Sequence, residues 1–144
     1  MPFCPSITGN PIMSMPCEVS VKCVLPAVRA MLAKELVKTK RMKQADVAHI
    51  LKVSQPAVSL YTRRIRGTAI SLENDKDISK LVRNFAASMS KNSLSSRDTI
   101  LKYCEICKTI RAKGLLCKLH KAFDASIDIE TCELCRTNNP LSCI

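Results

Sequence analysis

Residues 44–67, QADVAHILKVSQPAVSLYTRRIRG, constrain the fold of this chain more than any other stretch. Val47, Leu51, Val53, Val58 and Tyr61 are apolar at helical spacings, with a short break near Lys52. Ala48 is small where two crossing helices must approach each other. Aliphatic neighbours on both sides of the break then lock the crossing angle. Ser54 offers a hydroxyl to the exposed N–H groups of a second helix. Pro56 fits the first turn of that helix, where its missing donor costs little. The segment therefore predicts a helix, a tight turn and a second short helix.

The flanking segments extend this helical pattern. Leu25, Val28, Met31, Leu32 and Leu36 recur at helical spacing, which predicts a first helix over 25–36 with Pro26 in its opening turn. Lys38 to Lys43 reads as a basic turn. Ile78, Leu81, Val82, Phe85 and Met89 form the stripe of a helix over 74–90. Ser88 to Ser96 reads as a linker, and Ser95 with Asp98 as a capping box opening a helix through Ile100, Leu101 and Cys104. Glycine is scarce, at 3 residues, which disfavours a turn-rich β domain. Apolar residues make up 47% of the chain but aromatic ones only 3%, so the core must be aliphatic. The expected class is all-α. Residues 1–14 are expected as a disordered tail, and 15–90 as a domain of four to five helices. Residues 91–103 are expected as a linker with the start of a helix, and 104–144 as a small Cys-rich module.

The net charge is +11, and most of it lies in one segment. Residues 15–66 hold eleven Lys/Arg against three Asp/Glu, whereas the rest of the chain is nearly balanced. A cationic face of this kind attracts polyanions. Charge alone fits either a nucleic-acid surface or an ordinary solvated one.

The segment resembles the Cro/repressor-type helix-turn-helix family at Gln44, Ala48, Val53, Ser54, Gln55, Val58, Ser59 and the Arg66-Gly67 pair. It departs from the pattern at Lys52, where the family usually places glycine in a left-handed conformation. A side chain there costs about 1 kcal/mol. The resemblance implies that the second helix enters the DNA major groove. Its outward positions are then Ser54, Gln55, Pro56, Ser59, Leu60 and Arg63. Gln55 matches adenine N6 and N7, and Gln44 braces the reading helix and a phosphate. Arg63 reaches guanine or phosphate. Lys43, Arg64 and Arg66 contact phosphates, which position the protein without specifying sequence. A homodimer on double-stranded DNA is expected, since two-fold symmetry matches palindromic half-sites.

The C-terminal third carries three closely spaced pairs: Cys104-x2-Cys107, Cys117-x2-His120 and Cys132-x2-Cys135. Ligands spaced in this way converge on one ion from a helical turn or a tight knuckle. Six candidates exceed the four that one tetrahedral ion takes, so Cys104, Cys107, Cys132 and Cys135 are the primary set, and Cys117 and His120 either replace one CxxC or take part in a bridged two-metal site. Zinc is the default for such donors, and an iron–sulfur cluster is the rival. A closed zinc site would staple a tail too small to fold alone. A cluster would make it a redox, oxygen or iron sensor.

No secretory or membrane segment opens the chain, so its nine cysteines are expected in a reducing cytoplasm. Residues 15–143 are similar to small predicted transcriptional regulators of archaea, through Pro16-Cys17-Glu18, Leu25 to Ala30, the helix pair and the Cys tail. That similarity implies a metal- or redox-responsive DNA-binding regulator rather than an enzyme, with Cys17 near the site of the tail. Two other classes fit the sequence less well. A basic, zinc-containing RNA-binding or interaction module lacks the stacking aromatics of sequence-specific RNA readers. A CxxC thiol oxidoreductase lacks a strand–helix pattern around its cysteines.

Overall fold

The computed structural model describes residues 15–136, and the expected tail over 1–14, Cys4 and Cys143 lie outside them. The described residues are helical, with no strand. The helices are α1 (Pro16–Val19), α2 (Leu25–Lys34), α3 (Gln44–Leu51), α4 (Gln55–Thr62), α5 (Lys76–Ser90), α6 (Ser96–Ala112) and α7 (Cys117–Phe123). None is long and apolar enough to cross a membrane.

The first helix is longer than its apolar stripe predicts. The chain stays helical from Pro16 to Thr39, because π turns at Ser20–Val24 and Glu35–Thr39 join α1 to α2 and extend α2. Pro26 is therefore interior and does not open the helix. A proline there removes one N–H and crowds the carbonyl four residues back. The π turn just before it, where Leu25 N–H donates to Ser20 O, widens the spiral at that point. Pro16 is the opening proline, and Glu18 accepts from the Met15 N–H at 3.0 Å.

One apolar core runs through the molecule. Val28, Leu32 and Leu36 from the first helix meet Val47 and Val58 of the α3–α4 pair and Ile78 and Phe85 of α5. Gly67 carries the chain back across α2 with φ +77°. A Cβ there would lie 2.5 Å from Pro26 O and 2.8 Å from Ala30 Cβ, so only glycine fits this crossing.

The chain turns at residues 91–95, where a linker is expected, but no separate unit begins after it. α6 packs on α5, with the Phe85 and Tyr103 rings edge to face at 5.0 Å. Ile106, Ile110 and Leu116 join the same core. Ser95 and Asp98 form the expected capping box: Ser95 Oγ accepts from Asp98 N at 3.1 Å, and the Asp98 carboxylate accepts from Ser95 N at 3.3 Å. Lys113 at the end of α6 ion-pairs with Asp75 at 2.9 Å and with Asp77, at the start of α5. Cys104 and Cys107 thus sit on a core helix. α7 packs back on α1, and Lys22 lies 5.8 Å from the Phe123 ring centre.

Candidate functional site

Two regions collect the residues singled out by sequence. The first is the α3–α4 pair. Lys52 joins its helices with φ 55° and ψ 42°, the left-handed conformation expected at that turn. Ser54 caps α4, its Oγ accepting from Ala57 N at 3.3 Å, and Pro56 lies in the first turn. Val47, Ala48, Leu51, Ala57, Val58 and Tyr61 are buried, so the opposite side of α4 is left to solvent. Val53 is only half-buried, a smaller locking role than its spacing suggests.

Ser54, Gln55 and Pro56 are exposed at the start of α4, and Ser59 and Leu60 are half-buried one turn on. Lys43 and Arg63 are exposed and Gln44 is half-buried. Arg63 Nε reaches Ser59 O at 3.4 Å. Arg66 is exposed and stands 5.5 Å from the Tyr61 ring centre. Arg64 differs from its neighbours. It has φ 59° and ion-pairs with Glu73 at 2.8 Å, and Lys34 holds the other carboxylate oxygen at 3.1 Å. Its charge is partly spent within the fold. Arg41 and Lys52 are exposed cations on positive-φ turns beside the pair, though neither is among the expected DNA contacts.

The second region gathers the sulfurs. Cys104 and Cys107 lie one turn apart on α6 and line a cavity of about 320 Å³ between α6 and the first helix. Cys17 of α1 lines the same cavity from the side of the first helix. Cys117, His120, Cys132 and Cys135 line a separate hollow of about 10 Å³, roughly the space of one water. The structure therefore groups the six candidates as two plus four, with the Cys117/His120 pair beside Cys132 and Cys135. Three thiols and an imidazole are a zinc donor set. His120 is buried. As they stand, no three His, Cys, Asp or Glu side chains among the described residues converge closely enough to hold an ion. Ligation there needs the side chains to rotate inward.

Arg111 lies between the two groups and is 7% exposed. Its Nη1 approaches Cys17 Sγ at 3.9 Å. Burial works against its charge, but a hydrogen bond to Cys135 and the nearby sulfurs of Cys17 and Cys107 outweigh it, so the guanidinium is held more firmly charged than an ordinary arginine. Its Nε is buried and has no hydrogen-bond partner among the described residues. Sequence reading missed Arg111, because only the fold brings it beside a sulfur 94 positions away.

No protein-family model matches this chain, and comparison with curated proteins and with solved structures finds no match.

Proposed function

We propose that the chain is a sequence-specific DNA-binding transcriptional regulator in which α3 and α4 act as a helix-turn-helix. The observation that carries this reading is the solvent-facing start of α4. Ser54, Gln55 and Pro56 are exposed after a left-handed turn, with Lys43, Arg63 and Arg66 exposed around them. A short helix with polar residues at its N-terminus and cations beside it presents base-reading groups and phosphate contacts together. A homodimer reading two half-sites in the cytoplasm belongs to the same proposal. The competing readings, a basic RNA-binding module and a thiol oxidoreductase, gain no comparable feature.

The second part of the reading concerns the tail. Cys117, His120, Cys132 and Cys135 bind zinc, which closes the segment after α7 as a staple. Few large apolar side chains follow Leu116, so cross-linking there offsets chain entropy that burial does not.

The test is binding to duplex libraries at several salt concentrations, followed by Gln55→Ala on the selected site. The variant is expected to weaken specific binding by about 1–3 kcal/mol and to leave non-specific binding nearly unchanged. Equal losses on selected and random duplexes would remove α4 as the reader. Preference for single-stranded RNA over any duplex would favour the RNA-binding alternative.

A further inference from the structure

The cavity between α6 and the first helix is built differently from the zinc-sized hollow. We infer that it holds an iron–sulfur cluster, with Cys17, Cys104 and Cys107 as its protein ligands. The inference rests on the reading of these cysteines as metal ligands and adds a second centre to it.

Four observations support a cluster over a single ion. The first is room. A lone zinc draws its thiolates in to about 2.3 Å and needs no cavity, whereas these sulfurs stand on the walls of a space of about 320 Å³. The second is lining. Half-buried Leu25 and Tyr103 give an apolar inner wall, and exposed Val21 and Ile100 form an apolar rim. The third is charge. Arg29, Lys108 and Arg111 line the cavity and, among the described residues, no Asp or Glu does, so thiolate ligands meet fixed countercharge. The fourth is the orphan donor. The Arg111 Nε–H is buried without a partner among the described residues, a cost that folded proteins rarely leave uncompensated. A sulfide or thiolate sulfur supplies the missing acceptor. On ligation each thiol gives its proton to solvent, and the remaining iron coordination falls to a small exogenous ligand.

This placement gives the centre a specific meaning. Cys104 and Cys107 belong to α6, and Cys17 belongs to the helix that packs against α4 further along its length. The cluster would tie the sulfur-bearing end of the molecule to the helix on which the α3–α4 pair rests.

The experiment uses the full chain, purified without oxygen and loaded with ferric iron and sulfide in the presence of a small thiol, which reduces part of the iron to the ferrous state. Wild type is expected to take up both and to show broad visible absorption that bleaches on reduction. Cys17→Ser and Cys107→Ser should lose that band and keep their zinc. Cys132→Ser should keep the band and lose zinc. In unmodified protein, iron and sulfide should protect Cys17, Cys104 and Cys107 from alkylation but leave Cys132 as reactive as before, a readout that needs no variant to fold. A zinc-loaded protein that never acquires the band overturns the cluster and leaves the staple standing. Neither zinc nor the band sinks both centres. A full band in Cys17→Ser, or no protection of Cys17, also overturns the assignment.

Discussion

From Gln44 to Thr62, almost every inward side chain is aliphatic, and its burial sets the angle between α3 and α4. From Cys117 to Arg136, the buried side chains are His120 and Asp124, and the chain is held by local polar turns. Asp124 accepts from Ser126 N at 3.0 Å, and Asp128 accepts from Glu130 N at 3.1 Å and from the Thr131 hydroxyl at 2.7 Å. Burial of a valine or leucine contributes about 1.5–3 kcal/mol, whereas an exposed turn of this kind contributes far less. The first region is therefore shaped by its own sequence. The second borrows its order from the core it leans on and from whatever its sulfurs bind.

The largest expected effect tests how far the two regions are joined. Phe85 is fully buried and touches Tyr103 of α6, so it lies in the common core on which both regions lean. Phe85→Ala should cost about 3–5 kcal/mol of stability. Urea unfolding followed by helicity and by Cys117 alkylation should shift by the same amount. If Cys117 reactivity stays at its wild-type midpoint while helicity shifts, the tail is independent of the core and the comparison is drawn in the wrong place.

A smaller effect sharpens the basic region. Lys43→Ala should reduce the salt slope of DNA binding by about one phosphate. Arg64→Ala should change it less, because Glu73 already offsets the Arg64 charge. Equal slopes for the two variants would mean that the Glu73 ion pair opens on DNA.

The smallest effect concerns the clamp between α5 and α6. The hydrogen bond from Lys113, with the Ile78 and Asp77 N–H groups, holds the Asp75 carboxyl below its ordinary range. A depressed carboxylate pKa means that its stabilisation is complete above the ordinary value and is lost as pH falls through the depressed one. Acid titration of Lys113→Met should show a shallower loss of stability below the usual carboxylate range than wild type. Parallel acid curves would show that the clamp contributes nothing.

The same contrast explains what the sequence discloses. The α3–α4 pair is legible because its determinants are local: Ala48, the Ser54 cap and the turn at Lys52 lie within a few residues of their effects. The capping box at Ser95 is legible for the same reason. The full length of the first helix is not, because Pro26 reads as a beginning unless the π turn before it is known. Nor is the division of the sulfur ligands. Spacing pairs Cys104 with Cys107 and Cys132 with Cys135, but it carries no information about which pairs share a wall. That depends on α6 joining the common core through Ile106 and Ile110.

The unbroken helix from Pro16 to Thr39 also has a mechanical consequence. At about 1.5 Å per residue it forms a strut roughly 35 Å long. Cys17 is near one end, and the basic turn leading into α3 begins at the other. Only its two widened turns, at Ser20–Val24 and Glu35–Thr39, have slack to take up. Cys17 and the start of α3 are thus linked through one continuous helix, with a widened turn near each end of it.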